Sequence, residues 1–143
     1  MVSETLSCGV VVVRKESDGW RYLLLRAFQH WDFPKGLQES GEDPFDTAIR
    51  EVQEETTITD LEFRWGLSYT ETEPYNRGKK IARYYLGETH TSAVRLLANP
   101  LLGYPEHSEF RWMTTDEAMQ KLTPRVKRIL DWARKIMETE AGK

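Results

Sequence analysis

The stretch "FPKGLQESGEDPFDTAIREVQEETTI", residues Phe33–Ile58, joins a glycine-rich loop to an amphipathic helix. Proline suits the first turn of a helix and acidic residues suit its positive end, so we predict that a helix begins at Pro44, just after Glu42 and Asp43. Apolar residues then recur at i, i+3, i+4 and i+7 and predict the buried face of the helix. These residues are Phe45, Ala48, Ile49 and Val52.

Three glutamates crowd one stripe of the same helix. Glu51, Glu54 and Glu55 fall within an arc of roughly 100° beside the buried face. Like charges at this spacing destabilise a helix by about 0.2–0.5 kcal/mol per pair, and the negative end of the helix adds to the effect. A divalent ion would reverse the sign of both contributions, since Mg²⁺ accepts carboxylates, waters and a backbone carbonyl as ligands. Because Gly36 and Gly41 let the loop run close to the helix, we favour a metal site over a solvated acidic face.

The same positions resemble the Nudix box, Gly-x5-Glu-x7-Arg-Glu-U-x-Glu-Glu-x-Gly-U, in which U is a bulky aliphatic residue. The match runs over residues 36–58 and fails at one defining position, where Thr57 replaces the last glycine. A resemblance of this kind implies an α/β fold, the Nudix α/β/α sandwich with a central mixed sheet. It also implies hydrolysis of a nucleoside diphosphate linked to another group, with Mg²⁺ as cofactor and Mn²⁺ as a substitute.

The resemblance implies a role for each box residue. Arg50 is expected to hold a catalytic glutamate, Glu51 or Glu54, and Glu42 is expected to pair with Arg50 or to lie next to it. Bound ions lower the pKa of an attacking water, and a spare carboxylate can take its proton. The implied metal ligands are the Gly36 carbonyl and the carboxylates of Glu51, Glu54 and Glu55.

Thr57 affects the expected end of the helix. Glycine at this point commonly adopts a left-handed conformation, which a β-branched residue disfavours. We therefore expect either a different helix end or a Thr57 that avoids this conformation.

Further segments are similar to the asymmetric dinucleoside tetraphosphate hydrolases, a branch that cleaves diadenosine tetraphosphate into ATP and AMP. From about Cys8 to Met113 these segments occur in the same order as in that branch. They are "SCGVVVVR", "YLLLRA", "HWDFPKG", "KKIARYYL" and "EHSEFRWM". Related RNA 5′-end pyrophosphohydrolases share the scaffold, so this part of the resemblance is less specific than the box.

That branch implies further site residues. His30, Lys35 and Lys80 match residues that reach the phosphate chain, and Tyr84 matches a tyrosine that stacks on adenine. Glu106 matches a glutamate that contributes to the metal or base chemistry, and we interpret His107 beside it as a structural neighbour.

A basic turn lies next to these residues. The turn "YNRGKK" brings Arg77 close to Lys80, which forms a local basic patch suited to polyphosphate. Tyr84 and Tyr85 should point to opposite faces of a strand, so that one of them packs in the core.

Composition limits the alternatives. The 143 residues carry 20 basic and 23 acidic side chains, a net charge of −3 that gives no support to broad binding of nucleic acid or a membrane. We expect one domain spanning 1–143, a small-molecule nucleotide substrate, no membrane partner and a cytoplasmic location. The lone Cys8 is interpreted as a packed residue.

The alternatives are an enzyme acting on RNA 5′ ends and a non-catalytic nucleotide-binding module. The intact acidic box argues against the module.

The remaining chain predicts alternating strands and helices. Thr114 and Glu117 form a capping box that opens a short helix, and a longer helix begins at Pro124. The predicted strands are "LSCGVVVVRK", "WRYLLLRAF", "LEFRWGLSYTET", "KKIARYYLGETH" and "SEFRWMT".

Overall fold

Strand β1 (Thr5–Glu16) forms the centre of the fold in the computed structural model, which describes residues 5–141. Its run of four valines suits an extended backbone with both faces covered, and residues 7–13 are all buried. The other elements are β2 (Gly19–Ala27), β3 (His30–Asp32), β4 (Lys35–Leu37), α1 (Pro44–Thr56), β5 (Tyr69–Glu71), β6 (Lys80–Glu88), β7 (Glu109–Met113), α2 (Thr115–Lys121) and α3 (Pro124–Ala141).

The sheet is mixed. Strand β6 pairs parallel to β1 along most of its length, while β4 and then β2 pair antiparallel along the other edge of β1. The main strand order is β3-β2-β1-β6-β5, and β7 adds to β2. This topology confirms the predicted central mixed sheet.

Helices cover both faces of the sheet. Val10 and Val12 of β1 pack with Ala48 and Val52 of α1 in one core. The alternate valines of β1 pack on the opposite face, in a core that includes Ile129 of α3. The expected α/β/α sandwich is therefore present. No helix described between residues 5 and 141 is long and apolar enough to cross a membrane.

Cys8 lies fully buried in the core beneath α1, as a packed residue should. Burial raises the pKa of its thiol to about 11. The thiol is therefore protonated near neutral pH and is a poor nucleophile.

The prediction of a strand across residues 61–72 is wrong over most of that length, since only Tyr69–Glu71 forms β5. Gly66 has φ 100° and donates to the Phe63 carbonyl at 3.0 Å, so the chain turns there. Phe63 instead packs its ring against Phe45 of α1, with ring centroids 4.7 Å apart. The segment before β5 therefore covers the core as a loop.

The end of α1 departs from expectation. Thr57 adopts the left-handed conformation, with φ 68° and ψ 6°, and its backbone N–H donates to the Gln53 carbonyl. Its hydroxyl donates to the carbonyl of Thr56. A threonine thus takes the conformation that the box normally gives to glycine.

Replacing Thr57 by glycine should stabilise the protein. The left-handed conformation costs a residue with a Cβ about 1–2 kcal/mol, and the greater chain freedom of glycine when unfolded offsets part of the gain. We expect Thr57→Gly to raise the free energy of unfolding by about 0.5–1 kcal/mol, measured by urea denaturation. Thr57→Ala is the control, because alanine keeps the Cβ and should give no gain. Equal stabilisation by both variants would contradict this explanation.

Candidate active site

Arg50 on α1 is the centre of the charged cluster. Its Nε lies 2.7 Å from one oxygen of Glu42, and a terminal nitrogen lies 3.0 Å from the other oxygen. The remaining terminal nitrogen donates to Glu51 at 2.8 Å and to Glu54 at 3.0 Å. Arg50, helped by the Thr47 hydroxyl, lowers the pKa of Glu42 to about 2. The expected Arg50–Glu42 pair is confirmed, and the same guanidinium holds both neighbouring box glutamates.

Gly36 on β4 lies against the Glu51 carboxylate. A Cβ built on Gly36 would fall 2.1 Å from the carboxyl carbon of Glu51, so any other residue would displace that side chain. Arg50 also donates to the carbonyl of Leu37 at 3.1 Å, which ties the strand to the helix. The box glycine therefore permits the backbone to approach the carboxylates, as a carbonyl ligand requires.

Glu55 is the box carboxylate with the least compensation for its charge. One of its oxygens accepts a hydrogen bond from the Lys35 backbone N–H at 3.2 Å. Burial, together with the negative charges of Glu51 and Glu106, holds the pKa of Glu55 well above its usual value. The metal-free protein therefore disfavours the ionised form, which is the form that binds a cation.

Glu106 and His107 approach Glu55 from the loop before β7. One ligand atom from each of the three residues lies within 4.8 Å of the other two. Burial lowers the pKa of His107, which leaves a nitrogen lone pair available near neutral pH. Two carboxylates and an imidazole suit a divalent ion, so the residues present fit a metal. The interpretation of His107 as a mere neighbour missed this grouping, because only the fold brings the loop to α1.

Lys35 and Tyr84 both interact with the Asp32 carboxylate. The Lys35 ammonium lies 3.8 Å from the Asp32 carboxylate, which accepts a hydrogen bond from the Tyr84 hydroxyl at 2.8 Å. Tyr84 has no exposed surface, and its ring packs edge-on against Phe33. The expectation that Tyr84 stacks on adenine is therefore wrong for this structure, because neither face of the ring is open.

The other expected substrate residues are exposed. His30 lies on β3 and Lys80 at the start of β6, both at the surface. In the turn before β6, Asn76, Arg77 and Gly78 all have positive φ, between 54° and 76°. The Tyr75 N–H donates to the Lys80 carbonyl at 2.9 Å and closes this turn. The basic turn is thus a defined structure with its cations in solvent.

A pocket of about 460 Å³ lies beside the basic turn, between residues 70–75 and the start of α3. The Arg125 guanidinium lies 4.0 Å from the centre of the Tyr75 ring within it. Sequence reasoning missed both residues, because the pocket joins segments that are distant in the chain. Its volume is within the range for small-molecule sites.

Comparisons with known proteins agree with this geometry. The family model described as the NUDIX domain matches residues 4–133. The chain is 31% identical over 129 residues to the asymmetrical bis(5′-nucleosyl)-tetraphosphatase of Rattus norvegicus, covering 80% of this chain and 82% of that protein. The corresponding protein of Sus scrofa is 33% identical with the same coverage.

Solved structures show the same fold. The binary complex of a C. elegans Ap4A hydrolase superimposes with a TM-score of 0.69 at 24% identity, covering 96% of both chains. The NUDIX domain of Shewanella oneidensis NrtR complexed with ADP ribose gives a TM-score of 0.70 at 17% identity, covering 97% of this chain and 90% of that one.

Proposed function

This chain belongs to the NUDIX domain family, and on that premise we propose that it hydrolyses dinucleoside tetraphosphates with Mg²⁺ as cofactor, giving ATP and AMP from diadenosine tetraphosphate. The observation that carries the proposal is the box cluster, in which Arg50 holds two glutamates while Glu55 forms no ion pair with any side chain described between residues 5 and 141. Relatives at 31% and 33% identity that are asymmetrical bis(5′-nucleosyl)-tetraphosphatases support the choice of substrate.

The metal requirement follows from the donor set. When bound, the ion would neutralise phosphate charge and lower the pKa of a water molecule. We propose that Glu51, Glu54, Glu55 and the Gly36 carbonyl hold it. The close approach of Gly36 to Glu51 supports this assignment, since it brings the backbone of β4 against the Glu51 carboxylate.

The protein's own groups then position the reaction. Arg50 fixes the side chains of Glu51 and Glu54, so these carboxylates need little reorganisation when substrate binds. The Lys35 backbone N–H orients Glu55. Glu106 is exposed beside Glu55, and we propose that it either joins the metal ligands or takes the proton of the attacking water.

The substrate is proposed to lie along the basic side of this cluster. His30, Lys35 and Lys80 would contact the phosphate chain, and Arg77 would add to the positive potential at its end. Because Tyr84 is buried, we assign the base instead to the pocket that contains Tyr75 and Arg125. An aromatic ring and a guanidinium both stack on a nucleobase.

Product analysis tests the reaction. The panel contains diadenosine tetraphosphate, 5′-triphosphate RNA and single nucleoside triphosphates, each incubated with protein and Mg²⁺ and separated by ion-exchange chromatography. We expect diadenosine tetraphosphate to react fastest and to give equal amounts of ATP and AMP. ADP as the sole product, or faster release of pyrophosphate from RNA, would contradict the substrate while leaving the family intact.

Tyr75 tests the base pocket. Base stacking contributes about 1–3 kcal/mol, so Tyr75→Leu should raise KM for diadenosine tetraphosphate by about tenfold or more with kcat little changed. Tyr75→Phe keeps the ring and should remain close to the wild type.

Tyr69→Leu is the matched control for the same assay. Tyr69 also has an arginine over its ring, with Arg83 at 3.9 Å, but it packs with Tyr85 of the core beneath α1. Its replacement should leave KM unchanged. An equal rise in KM for both leucine variants would show a general effect on the sheet and would contradict the pocket assignment.

A further inference from the structure

We propose that His107 is a nitrogen ligand of the divalent ion, together with Glu55 and Glu106, and that it makes this site bind Mn²⁺ more tightly than Mg²⁺. The inference rests on the metal requirement in the proposed function. It goes beyond that requirement because it adds a residue outside the box and sets the preference among metals.

The distances support shared coordination. The ligand atoms of Glu55, Glu106 and His107 lie within 4.8 Å of one another. Nitrogen and oxygen ligands lie roughly 2.0–2.2 Å from a first-row metal ion, so two ligands on opposite sides of it are separated by about 4.2 Å. At most one pair of the three ligands can lie on opposite sides, and adjacent ligands on an octahedral ion are about 3 Å apart. Side-chain movements on the order of an ångström would bring the three groups to an ion.

The surroundings of His107 leave its ring free to bind a metal. Within the part of the chain that the structure describes, the ring nitrogens of His107 have no hydrogen-bond partner. A partly buried histidine with a purely structural role normally has a partner for at least one nitrogen. The charged groups around the ring are Glu106, Asp32 and Lys35, and two of these three are anionic. The ring therefore occupies a place that attracts a cation.

The backbone around His107 is well anchored. The Ser108 N–H donates to the Arg26 carbonyl at 2.9 Å, and the Arg26 side chain pairs with Glu109 at 2.9 Å. Ser108 and Glu109, which directly follow His107, are therefore held against Arg26 of β2. The ring is consequently presented to Glu55 by a fixed backbone, which lowers the entropy lost when an ion binds.

An imidazole ligand changes the preference among metals. Mg²⁺ takes oxygen ligands and keeps its waters, whereas first-row transition ions accept imidazole nitrogen and increase in affinity from Mn²⁺ onward. Oxygen donors accept both ions, so the contribution of the nitrogen is the part of the Mn²⁺ affinity that is lost when His107 is replaced. The single nitrogen donor should therefore strengthen Mn²⁺ binding selectively.

Pulsed electron paramagnetic resonance on Mn²⁺-loaded, untagged protein tests the proposal without nucleotide. The sequence contains three histidines, so few imidazole nitrogens can contribute. We expect a directly bound ¹⁴N coupling in the wild type and its loss in both His107→Gln and His107→Ala. His90→Gln, at an exposed position, is the matched control and should keep the coupling.

Titrations with each metal give the second measurement. The resonance signal of free Mn²⁺ falls as the ion binds, and this fall measures the dissociation constant. His107→Gln should bind Mn²⁺ about tenfold more weakly than the wild type, a loss similar to that caused by mutating residues that orient metal ligands. Calorimetry with Mg²⁺ should show less than about a twofold change, because Mg²⁺ can replace the nitrogen with water.

Three results would overturn the proposal. They are a wild-type spectrum without nitrogen coupling, a coupling that persists in both His107 variants, and equal losses of Mn²⁺ and Mg²⁺ affinity. Since no nucleotide is present, a wrong substrate would leave these measurements unchanged. Conversely, Mn²⁺ bound without His107 would contradict this inference and leave the proposed function standing.

Discussion

The contact between the Arg50 guanidinium and the Glu42 carboxylate is the interaction on which the rest of the site depends. It joins the loop before α1 to the middle of the helix through two hydrogen bonds of 2.7 and 3.0 Å. With Arg50 fixed in this way, its one remaining nitrogen holds Glu51 and Glu54. One of the two nitrogens that bind Glu42 also donates to the carbonyl of Leu37. One cation thus orders the helix, the loop and β4, but it cannot neutralise every carboxylate around it. Glu55 is left half-buried without a cationic side chain among the described residues, and a divalent ion would supply the missing charge.

Strand β4 joins the two halves of the site because adjacent residues of a strand point to opposite faces. Gly36 faces α1 and meets Glu51, whereas Lys35 lies over Gly9 and extends to Asp32 on the other face. A Cβ on Gly9 would fall 2.5 Å from the Lys35 Cβ, so close packing of β1 against β4 also depends on a glycine. Gly36, a proposed metal ligand, and Lys35, a proposed phosphate-binding residue, are therefore adjacent in the chain. The central sheet thus places the proposed phosphate contact, Lys35, beside the proposed metal ligand, Gly36.

Sequence alone was sufficient to predict those elements whose structure is determined by neighbouring residues. The start of α1 at Pro44 and the capping box of Thr114 and Glu117 are both as predicted, because each depends on neighbouring residues. The strands β3 and β4 were not predicted, since three residues are too few to show a period of two. The burial of Tyr84 could not be predicted either, since alternation shows that two tyrosines face opposite ways but not that both faces are covered. The grouping of His107 with Glu55 depends on a long-range contact that no local pattern records.

The central claim is that a divalent ion offsets the charge crowded at the end of α1. The most direct test measures the free energy of unfolding of the wild type and Glu55→Gln, each in EDTA and in saturating Mg²⁺ at matched ionic strength. In EDTA the glutamine variant should be at least as stable as the wild type, because glutamine is neutral and avoids the cost of placing a carboxyl group beside Glu51 and Glu106. Mg²⁺ at one hundred times its dissociation constant should raise the free energy of unfolding of the wild type by about 2.7 kcal/mol over its value in EDTA. In Mg²⁺ the wild type should therefore be more stable than the variant. A wild type that is more stable than the variant in EDTA, and equally stable with and without Mg²⁺, would contradict the claim.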